Sequence, residues 1–424
     1  MSSGRQARPP GRPGRTGRRG ESFARREHAQ SQEVSAIEHT GLPQAMIEPS
    51  SAFRSVYAGK KVFVTGHTGF KGSWLCEWLL LLGAKVFGYS IDCTEQSLFS
   101  QLNLQERVHD VRGDVRNLPA LREAVSAVKP EFVFHLAAQS LVRRSYTEPL
   151  VTFTTNVIGS VNVMEVIRTS LNRCVAIMIT TDKCYENPEG LLACSENDPL
   201  GGHDPYSASK AAAEIAIDAY RRSFWGTDQD GRRIAIASAR TGNVIGGGDW
   251  AADRILPDCV RALQRSEPIL VRNENSTRPW QHVLEPLSGY LLLGQKLWKE
   301  ISAENIEQTR CKELSSAFNF GPLPGSDRAV RDLVTEVLRH WPGRWFPQAD
   351  ATAPHEARRL NLSINKAFHL LGWRPVWDFS RAVAETVVWY RAAASKSWTE
   401  LPRLTQRQIG DYTQDAAIGG ACWV

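Results

Sequence analysis

The chain lacks several features that would each have decided its class. No apolar run reads as a bilayer span: the densest patch, Leu79 to Leu82, is bracketed by Glu77 and Lys85, so no membrane partner is expected. No Cys-x-x-Cys pair occurs. The eight cysteines, Cys76, Cys93, Cys174, Cys184, Cys194, Cys259, Cys311 and Cys422, are scattered without metal-ligand spacing, which argues against a zinc ribbon or a paired-thiol redox motif. They fit buried or free thiols in a reducing cytoplasm, and no metal is expected. No internal repeat is visible. No apolar stretch follows Arg18-Arg19, so this pair does not read as an export signal, and a cytoplasmic location is expected.

A body of strongly one-signed charge is also missing. The net charge is +6, yet Arg5, Arg8, Arg12, Arg15, Arg18, Arg19, Arg25 and Arg26 all fall in the first 26 residues. Without them the chain is near neutral, so no specific nucleic-acid partner is expected. Gly, Pro and Ser separate these arginines, and such a segment buries too little apolar surface to offset the entropy of ordering. Residues 1–50 therefore read as a disordered extension. A second reading stays open, in which Met46 is the true start.

What is present suits a soluble globular protein: 424 residues, 42% apolar and 23% charged, enough for one large or two unequal domains. Lys60 to Thr65 has a strand pattern, and Ser73 to Leu82 repeats apolar residues at helical spacing until Gly83. The alternation continues with strand Lys85 to Ser90, strand Arg107 to Gly113, helix Pro119 to Val128, strand Phe132 to Ala137 and a helix from Pro149 to Thr169. Strand Cys174 to Thr180, helix Tyr206 to Phe224 and strand Arg233 to Arg240 follow. That rhythm predicts an α/β fold of Rossmann type, a doubly wound parallel sheet over residues 58–250. After Gly246-Gly247-Gly248 the pattern loosens through helix Ile255 to Gln264, strand Pro268 to Arg272, helix Val283 to Trp298, strand Ala317 to Phe320 and helix Val330 to His340. Residues 251–400 are expected to form a smaller C-terminal substrate-binding lobe with some return to the sheet, and 401–424 a C-terminal tail.

Between the first strand and helix stands Gly66-His67-Thr68-Gly69-Phe70-Lys71-Gly72. Closely spaced glycines at a helix start let backbone N–H groups approach a pyrophosphate, so this turn reads as dinucleotide-binding. Asp92, 20 residues past Gly72, or Ser90 at the strand end, would accept hydrogen bonds from the adenosine ribose. No arginine follows directly to neutralise a 2′-phosphate, which favours NAD over NADP. In Gly113-Asp114-Val115, Asp114 either holds adenine or stabilises a turn. Tyr206 and Lys210 stand one helical turn apart, and an ammonium close to a phenol helps it lose its proton. Thr181-Asp182-Lys183 ends a strand at the same sheet edge, where acid and base chemistry would sit beside a redox site. Arg278, in Arg278-Pro279-Trp280-Gln281-His282, is either a clamp for a nucleotide diphosphate or a surface residue at a proline turn. His282 reads as a core histidine.

From Lys60 to Tyr412 the chain resembles the extended short-chain dehydrogenase/reductases, and among them the 4,6-dehydratases acting on CDP-glucose. The resemblance rests on the glycine turn continued through Ser73-Trp74-Leu75, on His135-Leu136-Ala137-Ala138-Gln139 and Thr181-Asp182-Lys183-Cys184-Tyr185, and on Tyr206-Ser207-Ala208-Ser209-Lys210. It extends to Gly242-Asn243-Val244-Ile245-Gly246-Gly247-Gly248-Asp249-Trp250 and to the run from Arg278 to Pro286. The resemblance implies a lyase with NAD as cofactor and a nucleotide sugar as substrate. In it Tyr206, held by Lys210, takes the C4 hydroxyl proton, Thr181 bonds the same oxygen, and Asp182 protonates the departing C6 hydroxyl. The cofactor would be held by Gly66, Thr68, Gly69, Phe70, Lys71, Gly72, Ser90, Asp92, Asp114, Val115, Leu136, Ala137, Ala138, Tyr206 and Lys210. The substrate would be held by Gln139, Asn243, Arg254 and Arg278, with Asn156 beneath the site. Where related dehydratases carry a glutamate as the C5 base, this chain has Lys183. An ammonium cannot accept a proton, so Lys183 must act as a neutral amine or stabilise the enolate, with Glu186 as the other candidate base. A homodimer through the helices from Pro149 and Tyr206 is implied as well.

Overall fold

Runs such as Val62-Phe63-Val64 and Cys174 to Ile179 are apolar on both faces, and a strand of that kind is satisfied only in a sheet covered on both sides. The computed structural model describes residues 49–186, 193–225, 231–303, 308–323, 326–348, 361–394 and 398–424. The Arg-rich segment 1–48, and with it nearly all of the extension expected over 1–50, lies outside the described residues.

Seven strands form one parallel sheet: β1 (Lys61–Thr65), β2 (Lys85–Ser90), β3 (His109–Arg112), β4 (Phe132–His135), β5 (Arg173–Ile179), β6 (Arg233–Thr241) and β8 (Ala317–Phe320). Their order is β8-β6-β5-β4-β1-β2-β3, with Val62 opposite both Val86 and Phe132. The chain reverses direction of growth at β1, and the crevice between β1 and β4 opens at their carboxyl ends, where ligands of such sheets bind. This is the doubly wound fold that the alternation predicts. β8 lies beyond the glycine-rich stretch at 246–248 and pairs with β6 in parallel.

Side-chain alternation sorts the core. Val62 and Val64 belong to the layer packed by α1 (Phe70–Leu81) and α6 (Leu284–Ser302). Phe63 belongs to the opposite layer, with α2 (Leu118–Val128), α3 (Pro149–Ser170) and α4 (Pro205–Phe224). α3 is long and apolar enough by composition to cross a bilayer, a helix that the inspection of Leu79 to Leu82 overlooked; half of its most apolar stretch is buried against the protein. A π turn at Thr154–Ile158 interrupts it and brings Asn156 to the buried side.

α5 (Ile255–Gln264), β7 (Ile269–Val271), α7 (Val330–His340) and β9 (Trp345–Pro347) lie outside the sheet, with β7 pairing β9 in parallel. Residues 401–424, expected as a tail, instead form α9 (Leu401–Ile418), which packs on α1 and on α8 (Phe379–Ala394). The reason is aromatic burial. Tyr412 and Trp423 are almost wholly buried, and the Trp423 ring stacks on Phe53 with centroids 4.8 Å apart. Glu285, inside the Arg278 to Pro286 run, ties this layer down. Its carboxylate accepts from the Trp377 amide (2.7 Å), the Val376 amide (3.0 Å) and the Tyr412 hydroxyl (2.7 Å).

Burial pushes the Glu285 carboxyl up to about 7, against those three hydrogen bonds. The folded protein therefore binds a proton that the unfolded chain releases near 4.5, and stability falls as pH rises between these values. The cost at pH 8 is on the order of 3 kcal/mol. Glu285→Gln is expected to flatten the decline in melting temperature between pH 5 and 8; a parallel decline in both proteins would refute the assignment.

Candidate active site

The helix that follows the glycine turn starts at Phe70, three residues earlier than periodicity predicts, because Gly69 caps it directly. The amide groups of its first turn are therefore open at the crevice. Gly66 has φ +73°, and a Cβ there would lie 2.6 Å from the Ala137 nitrogen, so the turn and the loop after β4 approach through the missing side chain. A cavity of about 900 Å³ begins at this turn. Gly66, Thr68, Gly69, Phe70, Lys71, Gly72, Ser90, Asp92, Asp114, Val115, Leu136, Ala137 and Ala138 all line it, as do Thr181, Asp182, Lys183, Tyr206, Lys210, Gln139, Asn243, Arg254 and Arg278. A bare backbone cradle leading into a cleft with charged side chains in its wall fits a dinucleotide.

At the β2 end, the Ser90 hydroxyl is bonded to Thr68 Oγ1 (2.8 Å) while the Asp92 side chain stands exposed. Asp114 is ion-paired with Arg116, whose Nε donates to its Oδ2 at 2.9 Å, and this holds its carboxyl below the usual range. Arg116 lines the cavity too. Sequence reasoning missed it, although it stands two residues from a residue already singled out. Gln139 lies at the wall, but its amide is committed: Nε2 donates to Thr152 Oγ1 (2.9 Å) and Leu141 O (3.1 Å), and Oε1 accepts from the Leu141 amide (2.7 Å). Asn156 bridges the Gln139 backbone and the Ser209 hydroxyl (2.8 Å), fixing this wall to α4.

Thr181, Asp182 and Lys183 follow β5, and α4 faces them with Tyr206 and Lys210. Asp182 is 3% exposed, and burial raises its carboxyl pKa against the charges of Lys183, Arg278 and Lys71 and a hydrogen bond from Thr181 (3.1 Å). Its Oδ2 is buried without a hydrogen-bond partner and lies over Gly242, where a Cβ would come within 1.7 Å. A raised pKa beside a cleft suits a carboxyl to donate a proton. Lys210 donates to the Ile179 carbonyl (3.2 Å), and burial draws its pKa down to about 8. Tyr206 goes the other way from the expected easy ionisation: burial pushes it up to about 12, opposed first by a hydrogen bond with Thr181. Lys71 is pulled down to about 7, by burial first and then by Arg254. Lys183 is half-buried and lines the cavity; Glu186 is exposed and is not part of its wall.

Arg254 is clamped to Asp249 (2.7 Å), and Arg278 is 5% exposed. Arg143 and Arg272, which sequence reasoning did not single out, also line this end, bound to Asp253 at 3.4 and 3.0 Å. No local motif marks them, since only folding brings them together. His282 is wholly buried between Trp74 and Trp377, which pulls its pKa down to about 3, as a core histidine. Among the described residues no group of three or more His, Cys, Asp or Glu side chains converges as a metal site.

A parallel sheet, a glycine cradle and an acid, a phenol and lysines in one cleft define an enzyme of the nucleotide-binding Rossmann class. More particularly, the chain belongs to the GDP-mannose 4,6 dehydratase family, whose model matches residues 63–386. It is 41% identical over 363 residues to the CDP-glucose 4,6-dehydratase of Salmonella typhimurium, covering 85% of this chain and 98% of that protein. Among solved structures, UDP-glucose 4-epimerase of Thermus thermophilus in complex with NAD superimposes with a TM-score of 0.65 at 25% identity, covering 78% and 99%. The dTDP-glucose 4,6-dehydratase of Bacillus anthracis in complex with NAD does so with a TM-score of 0.65 at 19% identity, covering 81% and 100%.

Gly66→Ala should weaken dinucleotide binding by at least about tenfold, because its Cβ must displace the Ala137 backbone. Equilibrium dialysis with NAD, beside a melting curve to confirm folding, measures this; unchanged affinity would remove the turn from the site.

Proposed function

We propose that the protein dehydrates CDP-D-glucose to CDP-4-keto-6-deoxy-D-glucose, a hydro-lyase reaction with NAD as resident cofactor. The observation that carries this reading is the single cavity joining the glycine turn to Thr181, Asp182, Lys183, Tyr206 and Lys210, in a chain 41% identical to a CDP-glucose 4,6-dehydratase. The chemistry a bound NAD⁺ supplies is reversible hydride storage: the hydride that leaves C4 comes back at C6, so no net redox change results.

The chain's own residues supply the rest. Tyr206 accepts the C4 hydroxyl proton, with Thr181 bonding the same oxygen and Lys210 stabilising the phenolate. Because protein groups alone hold Tyr206 near 12, its ionisation in this reading relies on further positive charge close by. Once C4 is a ketone, the C5 hydrogen becomes acidic. Lys183, acting as the neutral amine, takes that proton and becomes the ammonium, a role favoured over Glu186 by its place in the cavity wall. Asp182, whose pKa burial raises, gives its proton to the departing C6 hydroxyl. Asn243, Arg254 and Arg278 hold the diphosphate, and Asp92 takes the ribose hydroxyls, with Ser90 supporting Thr68. A 4-epimerase would need neither the acid nor the base after Thr181.

Eight free thiols fit a cytoplasmic enzyme, and its product is suited to feed deoxysugars of surface polysaccharide, as in O-antigen. Leu150, Phe153 and Ile158 on α3 and Ile215 on α4 leave an apolar face exposed, which suits a homodimer through these two helices. Ile215→Arg is expected to give monomers by light scattering; an unchanged mass would overturn that interface.

The reaction is tested by offering CDP-glucose, dTDP-glucose, UDP-glucose and GDP-mannose separately. CDP-glucose labelled with deuterium at C4 should give product labelled at C6, without NADH accumulation. Failure of that transfer sinks the proposal, and preference for another donor sinks the specificity. In the same assay Lys183→Met should stop solvent deuterium from washing into C5.

A further inference from the structure

Past Arg254 and Arg278 the cavity continues along Leu270, Val271, Arg272, Asn273 and Ser276, the end of β7 and the turn after it. A sugar nucleotide is built in the order hexose, diphosphate, ribose, base. With its hexose at Thr181 and Tyr206 and its diphosphate between the arginines, its base must run toward this far end. We propose that Arg272 is the residue that selects cytosine, its guanidinium donating to O2 and N3 of the base. The inference rests on the proposed reaction and deepens it, since the residues around the hexose and diphosphate do not distinguish one pyrimidine from another.

The chemistry of the fork decides the choice. A guanidinium has only donors, five of them in a fixed plane. Cytosine offers two adjacent acceptors, O2 and N3. Uracil and thymine carry a hydrogen on N3, which would face a second donor and leave both groups unpaired inside a cleft. The fork is also held in place. Arg272 Nη1 donates to Asp253 Oδ1 at 3.0 Å, and its Nη2 lies 3.9 Å from Asp258 Oδ2. Asp253 also binds Arg143 and takes a left-handed backbone, φ +62°, while Asp258 is fixed by Arg261. Arg272 keeps about a third of its side chain open, 33%, so donors remain for a ligand. The two carboxylates line the same wall and can accept from the 4-amino group of cytosine. In uracil that place is a carbonyl oxygen, which a carboxylate repels. Donors and acceptors therefore match cytosine at O2, N3 and the 4-amino group, and mismatch uracil at N3 and O4.

The test compares the full chain with Arg272→Met and Arg272→Lys. It measures kcat/KM for CDP-glucose and UDP-glucose, and binding of CMP and UMP by calorimetry, with melting curves to confirm folding. Arg272→Met should lower kcat/KM for CDP-glucose by about tenfold or more, leave UDP-glucose within about twofold, and abolish the preference for CMP over UMP. Arg272→Lys, which keeps the charge but not the fork, should lose most of the same preference. Equal losses for both donors would assign Arg272 to the diphosphate and overturn the inference, as would a CMP preference that survives in both variants. Should the parent protein turn over no nucleotide sugar yet prefer CMP through Arg272, base selection stands and the proposed reaction falls.

Discussion

One buried ion pair, Glu214 with Arg240, holds the site together. Glu214 sits one helical turn after Lys210 and two after Tyr206 on α4, and Arg240 lies near the end of β6. Their contact of 2.8 Å is almost wholly dry, and Glu214 also accepts from Ser238 (2.8 Å) and Thr180. Arg240 in turn donates to the Tyr185 hydroxyl at 2.8 Å, which reaches Asn319 on β8. α4, β5, β6 and β8 are thus locked in a single register. Removing one partner would strand a buried charge, which costs several kcal/mol, so the face carrying Tyr206 and Lys210 has one stable orientation.

Within that frame, burial is the chief agent of the chemistry. It raises Asp182 and Tyr206 and lowers Lys210 and Lys71, because in each case the charged form loses water. The result is a carboxyl shifted toward its protonated form, lysines near the point of losing their protons, and a phenol that stays neutral unless more positive charge arrives. Orphaned Asp182 Oδ2, seated over Gly242, has no second partner to lower its pKa further. Groups shifted in this way toward their neutral forms can exchange protons in sequence with little build-up of charge in the cleft.

Most of the sheet was legible from local pattern. The strand at Lys85 to Ser90 and the helices at Ile255 to Gln264 and Val330 to His340 stand as their periodicity suggests, since the strand is apolar toward both layers and each helix turns one apolar face inward. The last 24 residues were not legible as structure. Their helix is mostly polar, and it is ordered by what Tyr412 and Trp423 meet, namely Glu285, Trp78 and Phe53, all distant in sequence. The same holds for Gln139, whose motif position suggested a ligand contact while its amide is spent on Leu141 and Thr152.

By itself the sequence determined the glycine turn, the Thr181-Asp182-Lys183 cluster and the Tyr206 and Lys210 spacing, because each is a pattern within one turn or one strand end. Only the tertiary structure decided how the environment shifts these groups and which arginines line the cleft. Desolvation depends on every layer packed above a residue, and Arg116, Arg143 and Arg272 reach the cavity from separate elements that touch only after folding.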